Sequence, residues 1–495
     1  MIKHDQAVDF FLELEKDSTP LNFDQVNIWE IMMLPLLDIF SASFDWHKSR
    51  SYTTARQLMA VLSREIVKNY YDKSTTVNEK SEDIPNFKNS EHVLFETAFN
   101  SPSAARVVLP VIKEMTDVVP IIGSYRFVYS TDQDNIGIEY VDFLTKQDRL
   151  EVKELLQGGS SEILSQARIL GKKVRLPHLL VRKWLIANLT RIALSVRAIS
   201  KLLHNVNIVC AVSTCEINIH GRILAILCKK HNIPSVLLQH GITDVLKYIK
   251  PGSVSKIIGV YGELQHEMYA KSGIPDEYLF DVGSPAYEEM SLMQSKNSEN
   301  ETSLRGKMGL SRDDLIVVIA LNHFNRADNF EIIDSIYRAV NNVKSRVNIE
   351  IVVKLHPGEK AHSYAHIARA HPRIRIASGH DLALVDALTI ADILLTLQSN
   401  VGIDAIISEV VVAEVNLSNR ETIKAFSSYV PQLKSYEEIR RFFQTMLDNS
   451  GLKEQMLSRQ KKYQLREFGK SLSGSAKRTS DLISASYKRR QDLKF

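Results

Sequence analysis

Cysteine is nearly absent: Cys210, Cys215 and Cys228 are the only three in 495 residues. They are too few and too closely grouped for a disulfide framework, and they form no Cys-x-x-Cys pair. A reducing compartment is therefore expected. A long uncharged apolar run is missing too. The most apolar early stretch, residues 26–44, is broken by Glu30, Pro35 and Asp38 and followed at once by Asp45. A bilayer span needs about 20 mostly apolar residues, so this stretch reads as a buried or interfacial helix. The opening Met1-Ile2-Lys3-His4-Asp5 lacks the apolar core and small residues of a secretory leader. A cytoplasmic protein is the expectation. Neither sign of charge is in large surplus: 62 Lys and Arg against 58 Asp and Glu give +4. That argues against nucleic acid as a partner and permits, without demanding, attraction to an anionic membrane surface.

Several chemical signatures are also absent. There is no Gly-x-x-x-x-Gly-Lys-Ser/Thr loop for a P-loop nucleotidase and no Gly-x-Gly-x-x-Gly for a dinucleotide oxidoreductase. His-Glu-x-x-His and Gly-x-Ser-x-Gly do not occur. The single Asp-x-Asp triplet, Asp132-Gln133-Asp134, lies in a polar stretch that reads as a solvated turn. No metal and no cofactor are expected. Charge would be handled by Lys, His and helix dipoles instead.

What is present is an ordinary globular balance, 44% hydrophobic and 24% charged, which excludes disordered and fibrous classes. The length calls for two to three domains. Residues 1–88 read as an N-terminal helical segment, with amphipathic stretches at 28–33 and 56–62 and a polar linker at 73–90. From residue 89 the pattern becomes β-loop-α-β. A strand at 92–98 precedes Asn100-Ser101-Pro102, where Ser101 caps a helix over 104–115. A strand region with a break at Gly123 covers 118–128. A long basic helix covers 183–205, and strands at 207–212, 235–238 and 256–260 alternate with helices at 221–231 and 263–272. Residues 291–307 turn polar and read as the clearest linker, with Gly283-Ser284-Pro285 marking the hinge into it. A second α/β series follows, with strands at 315–321, 349–355, 373–377, 393–397 and 410–415. Alternation of this kind predicts mostly parallel sheets covered on both faces. The expected fold is α/β, two Rossmann-like doubly wound lobes facing a cleft. The domains run 1–88, 89–290, 308–465 and a C-terminal helix at 466–495 that packs back on the first lobe.

Ligands of open parallel sheets sit beyond the carboxyl ends of the strands, and the informative motifs fall there. Gln239-His240-Gly241 ends the run Ile233 to Leu238. An imidazole in that place can serve as a general base or hydrogen-bond a sugar or phosphate, and Gly241 lets the backbone approach closely. A satisfied structural histidine is the plain alternative. Lys354-Leu355-His356-Pro357-Gly358-Glu359 ends the strand beginning at Ile349. Lys354 and His356 can both donate to phosphate oxygens, against the plain reading of a Pro-Gly turn. Leu397-Gln398-Ser399-Asn400-Val401-Gly402 ends a strand and opens a helix. Ser399 or Asn400 would cap that helix, whose free amides suit a diphosphate. Weaker candidates are Glu216, a base or only a cap, Asn322-His323 after the first strand of the second lobe, and Asn100-Ser101 after the first strand of the first.

Ile-Pro-Ser-Val-Leu-Leu-Gln-His-Gly at 233–241, Val-Tyr-Gly at 260–262, Gly-Ile-Pro at 273–275 and Val-Gly-Ser-Pro at 282–285 together resemble GT-B-type enzymes of bacterial surface polysaccharide synthesis. Lys-Leu-His-Pro at 354–357 and Ser-Asn-x-Gly-Ile-Asp-Ala at 399–405 are similar to that group's donor lobe. Capsule glycosyltransferases, polysialyltransferases and teichoic-type polyol-phosphate transferases share the His-Pro and serine motifs. Nucleotide-sugar 2-epimerases share the Ser-Asn-x-Gly pattern. The likeness spans about residues 90–430. It implies a metal-independent glycosyltransferase moving a sugar from a nucleotide-activated donor to a surface glycan or lipid-linked acceptor. The alternatives are a nucleotide-sugar 2-epimerase and a CDP-polyol-type phosphotransferase. Carried over, it implies that His356 and Ser399 contact the donor phosphates, with Lys354 and Asn400 in support, and that His240 faces the reacting centre. The acidic base motif of the polysialyl group stands here as Gln239-His240-Gly241, so Glu216 and Asp244 remain alternative bases. Gln239, Gly241, Asn100, Ser101, Asn322 and His323 are further acceptor or cleft candidates. The basic helices around Lys183 and Lys488 read as solvated faces, with peripheral docking at the inner face of the membrane as the alternative.

Overall fold

The structure is a computed structural model. It describes residues 7–13, 18–32, 34–40, 58, 61, 90–96, 102–124, 136–241, 249–297, 300–320, 326–356, 359–371, 373–379, 381–397, 399–417, 428–469 and 472–488. The chain divides into two compact units. One comprises residues 1–260, 266–282 and 476–495, the other 261–265 and 283–475.

The first unit is built on seven strands: β1 (His92–Glu96), β2 (Val119–Ser124), β3 (Ile136–Glu139), β4 (Ile208–Ser213), β5 (Ser235–Leu238), β6 (Ile257–Val260) and β7 (Leu279–Asp281). They pair in the order β3-β2-β1-β4-β5-β6-β7, every pair parallel. β1 and β4 are buried along their whole length, as expected of central strands covered on both faces. The strand order reverses between β1 and β4, which makes their carboxyl ends the topological switch point. Around the sheet lie α1 (Pro102–Lys113), α2 (Lys146–Gly158), α3 (Ser160–Val174), α4 (His178–Asn205), α5 (Ile219–Lys230) and α6 (Glu263–Lys271).

Several sequence expectations change here. Gly123 lies inside β2 and does not interrupt it. α2 and α3 occupy a stretch in which no helix is predicted, and α4 begins at His178 rather than at Lys183. Residues 28–32 do not form an amphipathic α-helix, and Met33 lies outside the described residues. A two-stranded hairpin, Asn22–Phe23 with Val26–Asn27, leads into a 3-10 turn at Ile28–Ile31. Trp29, Ile28 and Ile31 are fully buried in one core with Trp184, Leu189 and Ile223. Most of residues 56–62 and 73–90 lie outside the described residues.

The second unit has six strands: β8 (Leu315–Ala320), β9 (Ile349–Lys354), β10 (Ile374–Ala377), β11 (Ile393–Thr396), β12 (Val411–Val415) and β13 (Gln432–Leu433). Their order is β10-β9-β8-β11-β12-β13, again parallel throughout, with the switch point between β8 and β11. The helices are α7 (Pro285–Asn297), α8 (Glu301–Lys307), α9 (Arg326–Asn341), α10 (Ala365–Ala370), α11 (Leu384–Ile390), α12 (Val401–Ile407), α13 (Tyr436–Asp448) and α14 (Leu452–Phe468). The polar stretch 291–307 is therefore largely helical, not a linker. Arg305 explains why: it is buried, with Nε on Glu301 at 2.8 Å, NH1 on the Asp314 carbonyl at 3.0 Å and NH2 on the Ile390 carbonyl at 3.3 Å. The chain passes between the units at Gly283, whose φ is +80°. The last helix, α15 (Ser475–Lys488), belongs almost wholly to the first unit. There Cys210 Sγ lies 3.4 Å from Ser486 Oγ and Lys488 pairs with Asp117 at 2.5 Å. All three cysteines are buried, and burial pushes the Cys210 thiol up to about 12, so none is a ready nucleophile. Among the described residues no helix is long and apolar enough to cross a membrane.

Candidate functional site

The second unit gathers the predicted phosphate-binding residues at one sheet edge. β9 ends on Lys354 and β11 on Thr396, and both pair in register with Ala320, the last residue of β8. Thr396 Oγ1 donates to the Ala320 carbonyl at 2.7 Å, fixing that edge. With strands spaced by ~4.8 Å, the two strand ends stand about 10 Å apart. The Lys354-His356 and Ser399-Asn400 motifs thus leave the sheet at the same level on either side of its switch point. Lys354 is buried and its ammonium donates to the Leu355 carbonyl at 3.3 Å. Burial pushes its pKa below the ordinary lysine value, while the Asp381 carboxylate acts in the opposite direction. Half-buried His356 joins Lys354, Glu359, Asn329 and Tyr364 around a recess of about 220 Å³, counting its open mouth.

On the other side of the switch point, Ser399 Oγ accepts from Val401 N at 3.4 Å. Asn400 occupies the cap position of α12 but makes no side-chain cap bond and is exposed. Neither expected residue therefore makes a side-chain cap bond to the second or third helical amide; Ser399, one residue before the cap, meets only the first. Pro357, Gly358 and Gln398 lie outside the described residues, as do Asn322 and His323.

In the first unit, β4 runs into a tight turn and then α5. Asn218 caps α5, accepting from Gly221 N at 3.0 Å and donating to the Cys215 carbonyl at 2.5 Å. A Cβ on Gly221 would fall 2.2 Å from that carbonyl oxygen, so only glycine fits. Glu216, expected as a base or a cap, is fully buried and fully engaged. It accepts from Val254 N at 2.5 Å, from Ser255 N at 2.9 Å and from the hydroxyls of Ser213 and Ser255. Burial raises its pKa, with those donors and the Arg222 charge opposing. With both oxygens occupied, Glu216 latches residues 254–255 onto the turn after β4, which leaves no oxygen for a substrate proton. Asp244 lies outside the described residues.

His240 follows β5, beside β4. Its Nδ1 donates to the Thr214 carbonyl at 2.5 Å, since a carbonyl can only accept; in the neutral ring the Nε2 lone pair is then the basic one. The ring keeps exposed surface, and its crowded surroundings depress its pKa, opposed by the Thr214 bond. Gln239 is buried, donating from Nε2 to the Gly241 carbonyl at 2.9 Å. Asn100 and Ser101 lie outside the described residues.

One acidic residue at the first unit's switch point has no counterpart in the predicted set. Glu96 ends β1, in register with Ser213, at the first unit's switch point. It is fully buried and accepts from the Tyr140 hydroxyl. Its signal, an acid closing the run His-Val-Leu-Phe, is legible in the sequence. Burial, only partly opposed by Tyr140, lifts its carboxyl from 4.5 to about 8. A raised carboxyl favours the fold when protonated. That contribution is complete below pH 4.5 and is lost as the pH rises toward 8, at about 1.4 kcal/mol per pH unit. Melting temperatures measured from pH 5 to 8.5 should fall more steeply for the wild type than for Glu96→Gln. Parallel curves would refute the burial argument.

No family model matches the chain, and no curated protein matches it in sequence. Solved structures do. The UDP-GlcNAc 2-epimerase of Neisseria meningitidis, bound to UDP-GlcNAc, is similar at a TM-score of 0.51 and 10% identity, covering 80% of this chain and 99% of that one. The UDP-GlcNAc 2-epimerase of Methanocaldococcus jannaschii is similar at 0.51 and 13%, covering 80% and 99%. The fold is of the two-unit, Rossmann-like GT-B class. The wall teichoic acid polymerase TagF is similar at a TM-score of 0.48 and 12% identity, covering 92% of this chain and 99% of that one. The expected fold class is met. Among the described residues no group of three or more His, Cys, Asp or Glu side chains is arranged to hold a metal ion.

Proposed function

We propose that this chain is a glycosyltransferase that takes a sugar from a nucleotide-activated donor and passes it to a surface glycan or lipid-linked acceptor. The observation that carries the reading is the shared level of Lys354 and Thr396 on either side of Ala320. Two motifs built to meet phosphate begin from one edge of one sheet, where open parallel sheets bind ligands. The donor's diphosphate lies against Lys354, His356, Ser399 and Asn400. As the acceptor hydroxyl forms its bond to the anomeric carbon, the bond from that carbon to the diphosphate breaks. The leaving charge is met by cationic and backbone donors. On the first unit, His240 is the group that takes the acceptor's proton, its Nδ1–H anchored so that Nε2 is the basic nitrogen.

A second reading, a nucleotide-sugar 2-epimerase, is favoured by the fold shared with the two epimerases. It needs no acceptor. A thermal-shift series with UDP, CDP, CMP and GDP sugars tests both. One nucleotide class at about 100 times its dissociation constant should stabilise the protein by about 2.7 kcal/mol, visible as roughly 5 °C or more. A CDP-polyol response in place of a sugar response points to phosphotransfer. No response from any of them overturns the proposal. Donor incubated alone in deuterated water should stay unlabelled at the sugar C2 for a transferase and exchange there for an epimerase.

A further inference from the structure

Between Glu162 and Glu216 the chain contains no acidic residue and nine Lys and Arg. Some of these cations are neutralised from elsewhere in the first unit. Lys173 pairs with Glu13 at 2.6 Å, Arg197 with Asp24 at 2.9 Å and Glu151 at 2.7 Å, and Lys201 with Asp148 at 2.6 Å. Five others, Arg168, Lys172, Arg175, Arg182 and Lys183, form no ion pair among the described residues. All five sit at the end of α3, at the start of α4 or in the corner that joins them.

That corner is rigid and its tip is apolar. Leu176 N donates to the Gly171 carbonyl at 2.9 Å, Arg175 adopts φ +55°, and Pro177 sets the entry to α4. Leu179, in the first turn of α4, is 61% exposed. It is four residues from Lys183, the spacing that puts side chains on one helix face, and Arg175 caps the preceding helix just before the corner. Ile169 on α3 is also exposed. Unpaired like charges around an exposed leucine are unfavourable in water. They are favourable where phosphates meet hydrocarbon: long cationic side chains reach the headgroups while the leucine enters the acyl boundary. A soluble anionic polymer would satisfy the cations and leave Leu179 without a partner.

We infer that the α3–α4 corner is a docking surface for an anionic lipid bilayer. This stands on the charge and exposure of the first unit alone and does not depend on the proposed transferase chemistry. The test is co-sedimentation of the full chain with vesicles of phosphatidylcholine alone or mixed with phosphatidylglycerol. The wild type should bind the mixed vesicles at least roughly ten-fold more strongly, and added salt should weaken that binding. Lys172→Glu, Arg175→Glu and Lys183→Glu together should abolish the preference. Leu179→Asn, which keeps the net charge, should still lose roughly ten-fold or more, the worth of burying one leucine. These side chains are exposed, so melting curves of the variants should match the wild type. Equal binding to both vesicles, or to neither, overturns the inference. So does full retention of binding by Leu179→Asn with displacement by soluble polyphosphate, which would assign the corner to an anionic polymer.

Discussion

His356→Ala is expected to lower kcat/KM with the nucleotide-activated donor by about 10²–10³-fold, the usual loss when one donor to a developing oxyanion is removed. His356 is half-buried at the rim of its recess, so the melting temperature should move by no more than about 2 °C, as for a surface change. Lys354→Ala should lower kcat/KM comparably, and the pair should lose less than the product of the two single effects, because both side chains meet one diphosphate. Steady-state kinetics beside a melting curve reads all three. A near-normal rate for His356→Ala would remove the donor-phosphate role from this edge of the sheet.

The largest stability effect is expected at Gly221. A methyl group there falls 2.2 Å from the Cys215 carbonyl oxygen, a backbone atom held by Asn218, so relief requires the turn after β4 to move. Moving it would disturb the Glu216 latch on Val254 and Ser255. Gly221→Ala should therefore cost about 3 kcal/mol or more, a fall of roughly 6–12 °C for a unit of this size. Gly158→Ala is the matching control, because its added methyl meets nothing within 4 Å. That variant should melt within about 2 °C of the wild type, as expected of glycine exchanged for a better helix former in open space. Equal melting temperatures for the two variants would refute the steric account.

Much of the frame is legible in the amino-acid order. β8 reads Leu-Ile-Val-Val-Ile-Ala and β9 Ile-Glu-Ile-Val-Val-Lys, near-continuous apolar runs of the kind that only a sheet covered on both faces can use. The position of His356 just beyond β9 and of Ser399 just beyond β11 follows from where those runs stop. Other elements escape such reading. α2 is Lys-Gln-Asp-Arg-Leu-Glu-Val-Lys-Glu-Leu-Leu-Gln-Gly, too polar to stand out as a core helix. Its start is fixed by a reciprocal cap between Thr145 and Asp148, and Asp148 is in turn held by Lys201, 53 residues later.

Sequence by itself determines the two α/β series and the placing of His240, Lys354, His356 and Ser399 at strand ends. The period of apolar residues is a local property, and a strand's end is where that period stops. The work of each charged residue is decided only by the tertiary structure. Glu216 reads as a base or a cap until Ser255, 39 residues on, supplies the donors that turn it into a latch. Arg305 reads as linker until the Ile390 carbonyl, 85 residues on, buries it. Glu96 reads as a strand terminus until Tyr140 and the surrounding core lift its carboxyl. Desolvation and hydrogen bonding are set by neighbours in space, and sequence separation carries almost no information about which neighbours those are.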